Sequence, residues 1–166
     1  MPALSTYARK RKTEFFLASI PREARILEIG CGSMWVGDYF RSNGYPNYIG
    51  LDVEAPADVV GDIRDWQALG LHPGEFDVIV AFEVIEHVDF TAEALALLKP
   101  GGLLMMTSPV PHMDWAMRLL ETVGLNQPRT SPHDNLVCFE SLPHFEPVSL
   151  RRKAGLSQWG VLRKPH

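Results

Sequence analysis

The sequence predicts an α/β fold with a doubly wound parallel sheet, on three observations. Short apolar runs of strand length recur between residues 26 and 107 and alternate with stretches of helical character. A glycine-bearing turn follows the first run, and acids close the second and third. Open parallel sheets gather ligands at such strand ends, so the same features that predict the fold also predict a binding crevice.

The elements follow in chain order. Ser5 and Thr6 can cap a helix that runs through Ser19, with Phe16, Leu17 and Ile20 available to pack on the sheet, and Pro21 ends it. Strand one covers about Arg25 to Ile29 and its helix about Trp35 to Ser42. Strand two is Asn47 to Asp52, and Val59 to Ile63 is a short third strand. Nine residues separate Asp52 from Asp62, fewer than the dozen or more of a helical crossover, so this connection is a loop or a single turn. Asp65 to Leu69 reads as a short helical turn, and Phe76 to Phe82 as strand four. Asp89 or Thr91 caps a helix through Leu98 that Pro100 closes, and Gly101-Gly102 turns the chain into strand five, ending near Thr107. Met113 to Val123 reads as an amphipathic helix and Gln127 to Asn135 as a loop. His144 to Arg151 and Gln158 to Lys164 read as two strands joined near Ala154-Gly155.

Composition sets outer bounds. The chain has 166 residues, 46% of them apolar and 22% charged, which suits a single domain over residues 1–166 with a sizeable core. A net charge of −4 provides no global field for nucleic acid. Two basic runs, Arg9 to Lys12 and Arg151 to Lys153, are either solvated faces or a means of steering an anionic acceptor. The two cysteines, Cys31 and Cys138, make no disulfide framework. The absence of an apolar leader or a spanning segment leads to the expectation of a soluble cytoplasmic protein.

Ile26-Leu27-Glu28-Ile29-Gly30-Cys31-Gly32-Ser33-Met34 carries the most chemistry. Glycines directly after a strand let the backbone approach a ligand that any Cβ would hold off. A dinucleotide fingerprint asks for a third glycine where Trp35 stands, and a P-loop asks for Gly-Lys-Ser/Thr, which is missing. What remains is acidic-x-Gly-x-Gly. It resembles motif I of the class I S-adenosylmethionine-dependent methyltransferases, although Met34 occupies the position of the family's usual third glycine. Asp52, 22 residues beyond Gly30, has the spacing of an acid that takes both ribose hydroxyls.

The resemblance implies seven strands in the order 3-2-1-4-5-7-6 with the last antiparallel, one crossover helix being shortened or absent here. It implies S-adenosylmethionine as cofactor, with Glu28 toward the cofactor's ammonium and Asp62 toward the adenine amino group. Gly30, Cys31, Gly32, Val53, Ile63, Phe82 and Glu83 complete the expected cofactor-binding set, Ile63 packing on the adenine ring. Residues 1–24 form an N-terminal helical region, and residues 109–142 are the segment where this fold builds its substrate wall.

Glu83-Val84-Ile85-Glu86-His87 begins where strand four ends. It resembles the Glu-x-x-Glu-His of the ubiquinone-pathway O-methyltransferases and of the small-RNA 2′-O-methyltransferases. Beside a purely structural use, two readings stay open. In one, His87 and Glu86 serve the site without a metal, His87 as a general base or a residue that closes the pocket and Glu86 also able to cap the helix that follows. In the other, Glu83, Glu86 and His87 bind Mg²⁺, Mn²⁺ or Zn²⁺ together with His133, for which His112 and His144 are rivals. The expected function is methylation of a small-molecule acceptor, at oxygen, with no nucleic acid or transmembrane partner. The alternative is a non-catalytic module that binds S-adenosylmethionine or S-adenosylhomocysteine and acts through a partner.

Overall fold

A computed structural model describes residues 3–109, 138–153 and 157–166. Helix α1 (Ala3–Lys12) opens the chain and widens into a π turn over Thr13–Leu17, with the Ala18 N–H bonding the Thr13 carbonyl at 3.0 Å. The remaining elements are β1 (Ile26–Ile29), α2 (Trp35–Ser42), β2 (Tyr48–Asp52), β3 (Val59–Val60), β4 (Phe76–Phe82), α3 (Thr91–Leu97), β5 (Leu98–Pro109), β6 (Glu146–Lys153) and β7 (Ser157–Arg163). Short 3₁₀ turns cover Ile63–Asp65 and Phe139–Ser141.

Among the described residues these strands form one seven-stranded sheet in the order β3-β2-β1-β4-β5-β7-β6. The first five strands are parallel, and β7 runs antiparallel to both β5 and β6. This is the order the resemblance implied. The short connection after β2 also behaves as its length requires. Parallel pairing of β2 with β3 is confined to Leu51 with Val59 and Asp52 with Val60. Residues 53–58 therefore return over little more than one residue's rise, and no helix forms there. The third strand stops at Val60 instead of Ile63 because Asp62 caps the next turn, accepting the Arg64 N–H at 2.9 Å. Asp89 and Thr91 work together at the start of α3, Asp89 accepting from the Thr91 N–H at 3.0 Å and its hydroxyl at 2.7 Å.

Alternation along the strands divides the interior into two cores. On one face Ile26, Val78, Val80 and Met105 meet Phe16, Leu17, Val36 and Phe40 from the N-terminal helical region and α2. On the other, Leu27, Ile29, Ile79, Ala81 and Leu104 meet Ile85, Phe90, Ala94 and Leu97 around α3. Phe16, Phe40, Phe76, Phe90 and Phe139 are fully buried, each contributing on the order of 2–3 kcal/mol of apolar transfer. Asp77 is a clamp at the bottom of β4, accepting the Arg25 N–H at 2.8 Å and the Lys99 ammonium at 2.7 Å. The N-terminal end of β4 is thus fixed, and the cavity lies at the opposite, C-terminal strand ends.

Candidate active site

The turn after β1 holds three residues in the left-handed region, Gly30 (φ 72°), Gly32 (φ 47°) and Met34 (φ 59°). Gly30 is required twice over, because a Cβ there would also lie 2.5 Å from Val84. Gly32 differs: no protein atom lies within 4 Å of where its Cβ would be, and the residue borders a cavity. Met34 takes the left-handed conformation without being glycine, so the turn keeps its path despite the substitution.

That cavity, of about 530 Å³, lies over the C-terminal ends of β1, β2 and β4. Gly30, Gly32, Asp52, Asp62, Glu83 and His87 border it, with Ile29, Leu51, Val53, Ile63, Val84 and Val88 as its apolar wall. Asp52 accepts the Gly32 N–H at 2.8 Å, which joins the end of β2 to the glycine turn. Asp62 is bound by the Arg64 guanidinium and N–H, and these bonds hold its carboxyl down at about 2. Arg64, which the sequence reading passed over, is itself part of the wall.

Three expected cofactor residues stand back from this cavity. Phe82 turns the other way, stacking on Trp35 with ring centroids 6.0 Å apart. Cys31 is buried, its thiol approaching the Pro56 carbonyl at 3.7 Å, and burial pushes that thiol up to about 12. Glu28 has the parity of Ile26 and faces α2, where it is 2% exposed and accepts a hydrogen bond from the Tyr48 hydroxyl.

The Glu-x-x-Glu-His stretch splits rather than converges. Glu83 has φ 59° and is exposed, and its Oε1 accepts from the Thr107 hydroxyl at 2.7 Å and the Lys12 ammonium at 3.2 Å. His87 is exposed and its N–H bonds the Val84 carbonyl at 2.9 Å, closing a single turn. Glu86 points inward at 1% exposure; its Oε2 and the hydroxyl of Ser108 are buried without a hydrogen-bond partner. Burial, with the Glu83 carboxylate beside it, pushes Glu86 up to about 7. Among the described residues no three His, Cys, Asp or Glu side chains are grouped to hold a metal. His133 and His112 lie outside the described residues, and His144, exposed before β6, is not in such a group.

A glycine turn, a strand-end acid bonded to it, and a cavity over the parallel strand ends are the arrangement motif I implied. A family model described as "Methyltransferase domain" matches residues 4–152. The chain belongs to this family. Its sheet order is that of the class I S-adenosylmethionine-dependent methyltransferase fold.

Among curated relatives, the chain is 30% identical over 116 residues to a ubiquinone biosynthesis O-methyltransferase of Rhodopseudomonas palustris (60% of this chain, 45% of the relative). It is 25% identical over 134 residues to a malonyl-[acyl-carrier protein] O-methyltransferase of Enterobacter lignolyticus (68% and 52%). The chain spans about half the length of the curated relatives it matches. The crystal structure of the PH0226 protein from Pyrococcus horikoshii OT3 superposes with a TM-score of 0.71 at 15% identity, covering 99% of this chain and 93% of that one.

Two further residues reach the site from α1. Lys12 pairs with Glu83 and lies 5.0 Å from the Phe82 ring centroid; Arg9 donates to the Ser33 hydroxyl at 3.3 Å and lies 5.5 Å from that of Trp35. From composition alone this basic run is only a solvated face or a steering patch. The signal was present in the spacing, since residues 9, 12 and 16 share one side of a helix and Phe16 is core.

Proposed function

We propose that the protein transfers a methyl group from S-adenosylmethionine to an oxygen of a small-molecule acceptor. The observation that carries this is the cavity bordered jointly by the glycine turn, Asp52, Asp62, Glu83 and His87. The residues fit the cofactor that the family implies. Gly32 leaves open the space a side chain would fill, and Asp52 is held at the cavity edge by the Gly32 N–H with lone pairs left for ribose hydroxyls. Ile63 and Val53 offer apolar surface for a base, with Asp62 beside it. When bound, the cofactor supplies a sulfonium methyl group open to in-line displacement.

The protein's own work is then alignment and proton removal. In this reading His87, which borders the cavity, takes a proton from an acceptor hydroxyl, and the neighbouring buried Glu86 carboxyl, raised to about 7, assists it. Glu83, Glu86 and His87 do not form a metal group as they stand, so no step here runs through a metal. Oxygen as the target is supported by the two curated relatives, both named O-methyltransferases. Residues 109–142, most of them outside the described residues, are proposed to wall the acceptor, within a single domain over residues 1–166 that opens with an N-terminal helical region over residues 1–24. The reading includes a cytoplasmic setting and no nucleic-acid acceptor, supported by the net charge of −4. No helix among the described residues is long and apolar enough to cross a membrane.

Calorimetric titration with S-adenosylhomocysteine tests the cofactor, and release of that product from S-adenosylmethionine with a panel of small phenols and carboxylic acids tests the reaction. Micromolar affinity that Asp52→Ala abolishes is the expected result. His87→Ala is expected to keep affinity and lose about 10²–10⁴-fold in turnover. Binding without turnover on any acceptor would favour the non-catalytic alternative, and no binding would refute the proposal.

A further inference from the structure

Glu28 and Tyr48 form a buried polar pair that the chemistry above leaves unused. In the pairing of β1 with β2, Glu28 lies opposite Gly50. Position 50 has no side chain, so Tyr48, two residues earlier on the same face, leans across and donates its hydroxyl hydrogen to Glu28 Oε2. The slot is shaped for this ring. A Cβ at Gly37 in α2 would lie 2.8 Å from the tyrosine ring, and one at Gly50 would lie 2.8 Å from its hydroxyl.

The pair is tied to both halves of the cavity. Arg41, at the end of α2, sits 5.2 Å from the Tyr48 ring centroid and grips Asp58 at 2.6 and 2.7 Å. Asp58 in turn accepts the Gly50 N–H at 2.8 Å, fixing the loop that leads away from Asp52. On the other side, Met34 Sδ and Cys31 Cβ of the glycine turn back onto Gly50.

We infer that Glu28 and Tyr48 are positioning residues, which hold the glycine turn and the Asp52 end of β2 in register from beneath, and that Glu28 does not itself touch the cofactor. This rests on the cofactor reading above. The groups facing Glu28 are Tyr48, Asp52, Arg41, Asp58 and the Cys31 thiol. Burial pushes the Glu28 carboxyl up to about 8, the Tyr48 hydrogen bond and Arg41 opposing and Asp52 and Asp58 adding. At neutral pH the carboxyl is thus mostly neutral.

The test is titration of the full chain with S-adenosylhomocysteine at pH 6.5, using the wild type, Glu28→Gln and Tyr48→Phe, with melting curves for each. Glu28→Gln, which resembles the neutral carboxyl in shape, is expected to bind within about threefold of wild type. Tyr48→Phe, which leaves a buried carboxyl without its donor, is expected to weaken binding about tenfold. A folded Glu28→Gln that loses a hundredfold or more would show a direct ion pair with the cofactor and overturn the inference. So would a Tyr48→Phe of unchanged affinity. Should neither variant fold, the wild type decides between pH 6.5 and 8.5. Affinity falling as Glu28 charges beside Asp52 supports positioning, whereas affinity flat or rising overturns it. A wild type with no affinity for the compound refutes the cofactor reading, and this inference falls with it; either variant result against a binding wild type refutes this inference alone.

Discussion

Glu28→Gln should stabilise the fold, and by more as the pH rises. In the unfolded chain this carboxyl titrates at its ordinary 4.5, and in the native protein burial raises it to about 8. Between those values the native state holds a proton that the unfolded state has released, so wild-type stability declines with increasing pH across the window and levels off above it. The shift of 8 − 4.5 = 3.5 units corresponds at about 1.36 kcal/mol per unit to an upper figure of about 5 kcal/mol. Glutamine keeps an oxygen for the Tyr48 hydroxyl and carries no titratable proton. The difference between variant and wild type therefore isolates this one group from the other carboxylates. Thermal melts of both proteins from pH 4.5 to 8.5 should diverge steadily, by up to about 10–20 °C for a chain of this size. Curves that stay parallel across the window would show that Glu28 ionises normally, and the argument from burial would fail.

Three other outcomes are expected. Gly32→Val combines a positive φ with a side chain directed at the cavity, so it should weaken S-adenosylhomocysteine binding at least tenfold in calorimetry while costing only about 1–2 kcal/mol in urea unfolding. Phe40→Ala removes a fully buried ring that packs on Tyr45 and Tyr48, and should lower stability by about 3–5 kcal/mol in the same assay. Lys12→Ala breaks a partly exposed pair with Glu83, so its melting temperature should shift by no more than the equivalent of about 1 kcal/mol. Its effect should appear instead as slower methyl transfer, because Glu83 at the cavity loses one of its two anchors.

Much of this protein was legible along the chain because its signals are local. A glycine turn after a short apolar run, acids at Asp52 and Asp62, and too few residues between them for a helix each depend on neighbours in sequence. They marked the strand order's core and the corner where the cavity lies, through the resemblance they carry. The facing of side chains was a different matter, since it depends on register and on what packs above each strand. Motif and spacing say nothing of the buried tyrosine from the neighbouring strand whose hydroxyl donates to Glu28, a pairing that register alone creates. Glu83, Glu86 and His87 looked like one ligand set by spacing, yet the positive φ at Glu83 and the single turn that follows turn Glu86 inward and leave the other two exposed. Lys12 reaches Glu83 across 71 residues, a contact that no periodicity encodes. Local rules describe which turns and strands form; which groups finally face one another is settled only when both sheet faces close over their cores.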